Sequence, residues 1–388
     1  MTKLKIPSYT KKRFLVSGNI AKDVHVKVKS FSCLPPVFKK IWKDCTPISK
    51  VPEILGSGWS FEKVMEYIDE KALSPFSYCY GGRAPNVAYG AALLGATVEL
   101  VTLVGGDFDK QYPAFYDGSY RVHLKKAGVI INDLKATIAD LSNIVENSLN
   151  HGILAFEGKE IPTIYCIKDL KGNDLYFVDD QNGVQTLANN CPIPKQLILQ
   201  YDGVFVTSGE RAFNRKLIDY AHRKNREVIF DVGAYDLTDG YLQEVIPKCT
   251  KIFGNKFEMA LVKQALEINT ISELFEVCPE VSMVVLEDKI ACSLKMFERG
   301  RRPVVVGPIT PRKRVSSVGC CDGIATGYLA LYSLGFDNLT AINAGLLQCA
   351  SIWEVEGVQE GMLSQQRLFE LIEQSSSYQL RKKPPVSK

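Results

Sequence analysis

The sequence predicts an α/β fold: a three-layer α/β/α sandwich with a mostly parallel central sheet and a small β-sheet lid. Two observations carry this prediction. From Tyr201 onward short strands and helices alternate, which is typical of βαβ units and of a parallel sheet covered on both faces. A hairpin at 163–178 and an alternating strand at Val24–Val28 fall outside that pattern and indicate the second sheet.

The first half of the chain contains fewer regular elements. The apolar run Phe14–Ser17 predicts the first strand. Residues 31–77 contain five prolines around one predicted helix, which begins at the N-cap Ser60 and runs to about Ala72. Three further elements are expected: a helix over Asn86–Leu94, a buried strand over Val98–Val104 and a helix over Tyr120–Ala127.

The second half predicts the parallel part of the sheet. Strands are expected near Gly203–Thr207, Val228–Asp231, Lys251–Gly254 and Val281–Leu286. Helices are expected near Phe213–Lys224, Tyr241–Val245, Lys256–Leu266 and Ile271–Cys278. We expect one large domain over 14–375, with a lid built from about 24–80 and 155–185 and with tails at 1–13 and 376–388.

Composition and charge exclude several classes of protein. Of 388 residues, 46% are hydrophobic and 23% are charged, which argues against disorder and against a fibrous repeat. The net charge of +4 is too small to favour nucleic acid or a membrane surface as partner, although it suits small anionic ligands. An apolar run of about 18 residues is missing, so no membrane span is expected.

Cysteine and histidine usage bears on location and metal binding. The 11 cysteines form no C-x-x-C pair, which indicates reduced thiols and a cytoplasmic location. The four histidines, at 25, 123, 151 and 222, are not spaced like a set of metal ligands. We therefore expect no histidine-based zinc site.

A polar loop that leads into a helix at 315–335 is the most informative segment. Asp322 lies in the predicted first turn, where backbone N–H groups create a site for an anion. A carboxylate beside such a site can accept the proton of an attacking hydroxyl while the loop holds a phosphoryl group. The alternative is that Asp322 only caps the helix.

Two other segments carry polar residues at useful spacings. Gly81 and Gly82 would let a ligand approach the backbone, and the amide of Asn86 could bond a polyol; a glycine turn with an Asn cap is the alternative. Asn255 and Glu258 share a helical face and could act jointly on the waters of a magnesium ion. Their alternative is an N-cap with a glutamate in the first turn.

In this order the segments resemble the PfkB/ribokinase family of sugar and nucleoside kinases, and most closely the adenosine kinase branch. The resemblance covers about residues 14–370. It rests on Ser17 to Asp23, Gly81 to Ala88 followed by Leu94-Gly95 and Val104 to Asp107, Asn255-x-x-Glu258, Gly319 to Asp322 with Gly327, and the late helix from Ala341 to Gly357. The order and spacing of these motifs are more specific than any one of them.

The resemblance implies a ribokinase-like fold and a role for each matching residue. Asp322 would be the general base, and the N–H groups of Gly319, Cys320 and Cys321 would form an anion hole. Asp23, Gly81, Gly82 and Asn86 would bind the substrate. Asn255 and Glu258 would order Mg²⁺ through water, with no direct metal ligand. ATP would be the co-substrate, with a monovalent cation as a further candidate. The chain would act as a monomer, or as a homodimer through its lid.

Several residues depart from the family pattern. Cys321 stands where a glycine is usual, and a side chain there would be strained if the backbone were left-handed. Ser316, Ser317 and Val318 replace an aspartate and threonines. The nucleotide-side loop at 285–290 lacks its hydroxyl and glycines, and Glu287 and Asp288 would repel polyphosphate unless they face away. A catalytically degenerate sugar- or nucleoside-binding protein with a regulatory or structural role therefore stays open.

Substrate choice is weakly specified. The size of the insert at 31–77 and the form of the late helix favour a nucleoside over a free sugar, by analogy alone. Aromatic residues of the lid could stack a base, but packing explains them equally: Phe38, Trp42, Phe61 and Tyr165. Trp42 and Trp59 could also form a surface for a partner protein, for which lid packing is the preferred alternative.

Overall fold

The computed structural model describes residues 6–7, 11–41, 45–111, 118–144, 149–171, 174–179, 183–233, 240–288, 292–316 and 318–381. Its strands form two sheets. They are β1 (Arg13–Ser17), β2 (Ala21–Val28), β3 (Cys45–Pro47), β4 (Ser77–Gly81), β5 (Thr97–Gly105), β6 (Asp133–Ala136), β7 (Ile153–Phe156), β8 (Thr163–Asp169), β9 (Asp174–Val178), β10 (Gly203–Val206), β11 (Glu227–Asp231), β12 (Lys251–Asn255), β13 (Met283–Asp288), β14 (Ser293–Glu298) and β15 (Val304–Val306).

The central sheet has ten strands in the order β15-β14-β13-β12-β11-β10-β1-β5-β7-β6. All neighbouring pairs are parallel except those of β14, which runs antiparallel to β13 and β15. Successive side chains of a strand point to opposite faces. In β1, Phe14 and Val16 accordingly enter one hydrophobic core, whereas Leu15 enters the other.

The helices are α1 (Val51–Leu55), α2 (Phe61–Glu70), α3 (Arg83–Leu93), α4 (Tyr120–Lys126), α5 (Lys195–Leu199), α6 (Arg211–Arg223), α7 (Tyr241–Val245), α8 (Lys256–Ala265), α9 (Ile271–Val277), α10 (Cys320–Ser333), α11 (Asn338–Ile352) and α12 (Gln365–Arg381). Helices α3 to α12 cover both faces of the central sheet and complete three layers, whereas α1 and α2 pack against the second sheet. Helices α3, α4, α10, α11 and α12 supply the core on one face, and α5 to α9 supply the core on the other.

The second sheet has five strands in the order β3-β9-β8-β2-β4. Strands β8 and β9 are antiparallel, as the predicted hairpin requires, and its turn at 172–173 lies outside the described residues. One face packs on a separate core that the insert at 31–77 supplies. In that core Phe38 is fully buried and meets Trp59 edge to face with ring centroids 5.1 Å apart, while Trp42 lies outside the described residues.

The predicted sandwich and second sheet are confirmed, with two local corrections. Helix α3 begins at Arg83 and not at Asn86, because its N-cap is Gly82, which has no side chain to signal it. Strand β2 begins at Ala21, so that it includes Asp23. The last helix, α12, continues past residue 375 to Arg381. Among the described residues, no helix is both long and apolar enough to cross a membrane.

Candidate active site

The start of α10 provides the predicted anion site. Gly319 is its N-cap with φ of +77°, and as a glycine it has no side chain to cap the helix. A Cβ on Gly319 would lie 2.3 Å from Val358 Cγ2, so that both the backbone angle and the close approach require glycine. The first N–H groups of a helix have no partner inside it and carry partial positive charge. This end of α10 can therefore receive an anion.

Cys321 does not strain the backbone. It lies inside α10 with a helical conformation, and the left-handed residue of the loop is Gly319, two positions earlier. Cys320 and Cys321 are both buried in the first turn. The condition for strain at position 321, a left-handed backbone, is therefore not met.

The Asp322 carboxylate makes tertiary contacts and does not merely cap its own helix. Its Oδ2 accepts a hydrogen bond from Asn86 Nδ2 at 2.8 Å, and its Oδ1 accepts one from Arg83 Nε at 3.3 Å. All three side chains come from the starts of α3 and α10, which pack against each other. The structure thus brings Asp322 together with Asn86 and the two-glycine turn, and Asn86 directs its amide nitrogen to the carboxylate.

Arg83 is a residue of this site that the sequence motifs did not single out. Its guanidinium donates to Asp322, to Asp231 at the end of β11, and to Ser208 Oγ at 3.4 Å. Burial raises the pKa of Asp231 well above its usual range, while the positive charge of Arg83 opposes that shift. The sequence feature that could have indicated the role of Arg83 is a charged residue directly after Gly81 and Gly82.

Asp23 lies over Gly81. A Cβ on Gly81 would be 2.1 Å from Asp23 Oδ1, so that only glycine leaves room for the carboxylate. This oxygen is buried and has no hydrogen-bond partner among the described residues. Burial, reinforced by the charge of Asp322, raises the pKa of Asp23 to about 7, and the nearby Lys168 opposes the rise. Gly82 packs against the backbone at the start of β2.

Lys168 links the second sheet to the loop before α10. It lies on β8, is 5% exposed, and its ammonium donates to Ser316 Oγ. The same hydroxyl accepts a hydrogen bond from the Val318 N–H at 3.2 Å. A lysine inside a hairpin carries no sequence signal for such a contact, and position 317 lies outside the described residues.

Asn255 and Glu258 form a capping box at the start of α8. Asn255 Oδ1 accepts from the Glu258 N–H at 3.0 Å, and Glu258 Oε2 accepts from the Asn255 N–H at 2.8 Å. The structural alternative for this pair is thus observed. Across the described ranges, no group of three or more His, Cys, Asp and Glu side chains is arranged to hold a metal ion directly.

The two acidic residues of the 285–290 segment are engaged within the protein. Glu287 is 2% exposed, and Asp288 pairs with Lys256 at 2.6 Å. Residues 289 and 290 lie outside the described residues. Lys256 thus offsets the charge of Asp288, and Glu287 does not face solvent.

Comparisons with known proteins agree with this fold, although no family model matches the sequence. The chain is 25% identical to the nucleoside kinase of Methanothermobacter thermautotrophicus over 285 residues, which are 72% of this chain and 80% of that protein. The crystal structure of the Methanocaldococcus jannaschii nucleoside kinase, described as an archaeal member of the ribokinase family, superposes with a TM-score of 0.69 at 20% identity and covers 94% of this chain and 100% of that one.

The chain has a ribokinase-like fold. The structure of the Burkholderia thailandensis nucleoside kinase in complex with inosine superposes with a TM-score of 0.67 at 16% identity over 94% of this chain and 99% of that one. The ribokinase-like fold and the similarity to nucleoside kinases that we expected from the motifs are confirmed. The roles of individual site residues stay predictions.

Proposed function

We propose that this protein is an ATP-dependent kinase of the ribokinase family that phosphorylates a hydroxyl of a nucleoside, with Asp322 as general base. The observation that carries the proposal is the position of the Asp322 carboxylate, in the first turn of a helix whose N-cap is a glycine. The similarity to two nucleoside kinases, over 72% and 76% of this chain, supports the class of reaction and favours a nucleoside over a free sugar.

In the proposed step, the acceptor hydroxyl gives its proton to Asp322 as its oxygen forms a bond to the γ-phosphorus. The bond from that phosphorus to the bridging oxygen breaks, and ADP leaves. The N–H groups of Gly319, Cys320 and Cys321 face the transferring group, where they stabilise its negative charge. Phosphoryl transfer depends mainly on such positioning and charge stabilisation, so that few special residues suffice.

Asp23 is the proposed ligand of the substrate hydroxyls. Its unpartnered Oδ1 is buried in a cluster that also contains Asp322. A buried acceptor without a hydrogen bond is costly, and a sugar hydroxyl would satisfy it. Gly81 and Gly82 leave room for the sugar because neither has a side chain.

Magnesium fits this site only through water. Glu258 uses Oε2 inside the capping box, which leaves Oε1 for a bound water, and its charge acts on Arg83 and Asp231. Mg²⁺ commonly keeps several waters when it accompanies a nucleotide. When bound, it would screen the negative charge of the triphosphate.

The non-catalytic alternative is favoured by one observation. Both carboxylate oxygens of Asp322 already accept hydrogen bonds, from Asn86 and Arg83. A protein that binds a nucleoside without phosphorylating it could keep this arrangement.

A panel of nucleosides and pentoses with Mg-ATP, followed by ADP release, tests the proposal. We expect turnover with at least one nucleoside, and a loss of kcat of about 10²–10⁴-fold in Asp322→Asn. Asp337→Asn is the matched control, because Asp337 is an acidic N-cap on the neighbouring α11, outside the site. Wild-type turnover in Asp322→Asn would exclude the assigned base. A thermal shift with nucleoside but no turnover with any substrate would favour the binding protein.

A further inference from the structure

A buried chain of side-chain hydrogen bonds leads away from Asp322. Asn86 Nδ2 donates to Asp322 Oδ2 at 2.8 Å, and Gln359 Nε2 donates to Asn86 Oδ1 at 2.8 Å. Gln359 Oε1 lies 2.6 Å from His123 Nε2. The four side chains are each between 2% and 7% exposed and come from α10, α3, the turn at 359–361 and α4.

The chemistry of the groups gives the chain one direction. An ionised carboxylate only accepts hydrogen bonds, so Asn86 must turn its amide nitrogen toward Asp322. The Asn86 oxygen then faces Gln359, which must turn its own nitrogen toward Asn86. The remaining Gln359 oxygen requires a donor, and His123 must therefore carry its proton on Nε2. Every donor in the chain points toward Asp322.

The far end of the chain is held rigidly. The His123 ring is stacked on Tyr80, with centroids 3.9 Å apart and planes 13° apart, and on Tyr89, with centroids 4.6 Å apart and planes 3° apart. A ring sandwiched between two parallel rings cannot rotate out of its plane without losing both contacts. The imidazole thus anchors Gln359 in a fixed plane.

We propose that Gln359 and His123 are positioning residues, which act through Asn86 to hold the Asp322 carboxylate in the orientation used for proton abstraction. The proposal rests on the proposed function, because it concerns the assigned base. The effect of both residues on the carboxylate passes through one amide, that of Asn86. A buried polar network is rigid when every donor in it meets an acceptor. If one side-chain amide were flipped, two acceptors would face each other.

Two substitutions at position 359 separate orientation from packing. Gln359→Glu keeps the shape but replaces the donor with an acceptor, so that the new carboxylate and Asp322 compete for the Asn86 amide nitrogen. Gln359→Met keeps most of the volume and removes both polar atoms. We expect kcat to fall by about 10²-fold in Gln359→Glu and by about tenfold or less in Gln359→Met, with the nucleoside KM within about threefold of wild type in both.

A third substitution tests the anchor. His123→Phe keeps an aromatic ring between Tyr80 and Tyr89 but removes the donor to Gln359, and we expect kcat to fall by about tenfold. Gln348→Glu is the matched control for a buried carboxylate, since Gln348 is fully buried and bonds to Leu363 rather than to the site. Its kcat should stay within about twofold of wild type.

Nitrogen-15 NMR of the four histidines gives a readout that does not depend on activity. The proton of His123 should reside on Nε2, and the His123→Phe spectrum assigns the signal. A proton on Nδ1 would reverse the chain and overturn the proposal, as would wild-type kcat in Gln359→Glu or equal losses in the Glu and Met variants. If Asp322→Asn instead keeps its turnover, the assigned base itself is wrong, whatever the Gln359 variants do.

Discussion

Gly81 offers a sharp test of how the second sheet builds the substrate site. In the wild-type protein the Asp23 carboxylate lies over the bare Cα of this glycine. In Gly81→Ala the new Cβ would lie 2.1 Å from Asp23 Oδ1 and 2.2 Å from Cγ. The backbone at Gly81 lies outside the positive-φ region, so the alanine meets a steric conflict without backbone strain.

The magnitude follows from two opposing effects. An ordinary contact between heavy atoms needs about 3.5 Å, so the carboxylate must retreat by roughly 1.4 Å or β4 must shift. Such overpacking costs about 1–3 kcal/mol. Alanine also lowers the conformational entropy of the unfolded chain, which offsets about 0.4–1 kcal/mol of this loss in stability. We expect Gly81→Ala to lower the free energy of unfolding by about 1–2 kcal/mol and to raise the KM for nucleoside, because Asp23 is displaced.

Urea unfolding of a double-mutant cycle measures this conflict. In Asp23→Ala the oxygens are gone, so the loss caused by Gly81→Ala should shrink and give a coupling energy of about 1 kcal/mol or more. Gly58→Ala is the control, since a Cβ at Gly58 meets no atom within 4 Å, and its stability should change by at most about 0.5 kcal/mol. Additive losses, or a Gly81→Ala protein as stable as wild type, would refute the placement of Asp23 over Gly81.

Two further predictions concern buried charge. Arg83→Met leaves Asp231 and Asp322 without their shared guanidinium and should cost about 3–5 kcal/mol in urea unfolding, part of which Asp231→Asn should restore; an unchanged urea midpoint would contradict this. Burial raises the pKa of Asp23 to about 7 and lowers the pKa of His25 to about 4. The Asp23 contribution to stability therefore falls as pH rises from about 4 to 7, whereas that of His25 rises between about pH 4 and 6.5. In Asp23→Asn the His25 contribution remains, so the free energy of unfolding should rise with pH when it is measured from about pH 5 to 8. A pH dependence identical to that of the wild type would count against the raised pKa of Asp23.

Most of the fold could be predicted from short-range patterns in the sequence. The apolar runs at Phe14–Ser17 and Gly203–Thr207 and the N-cap Ser60 are signals that neighbouring residues create, and each element forms where it was expected. The sequence predicts that helix α3 begins at Asn86, because Asn is a common N-cap, whereas the observed cap is Gly82. Glycine caps a helix without a side chain, so this start has little signal.

The site was only partly predictable. The order of the motifs predicts that Asp322 lies near the two-glycine turn and Asn86, because each of them lies at a helix start beyond the sheet. Gln359 and Lys168 have no motif, since their role depends on contacts across 273 residues to Asn86 and across 148 residues to Ser316. Only the folded chain determines such neighbours.

The position of β1 has a consequence for biosynthesis. This strand is the first of the central sheet to leave the ribosome, yet one of its two neighbours is β10, and a hydrogen bond joins Thr207 to Ser17 across 190 residues. At about 5–20 residues per second, the ribosome takes roughly 10–40 s to supply that partner. For this interval the nascent chain exposes an apolar strand edge, which makes it a natural client for chaperones that shield unpaired strands.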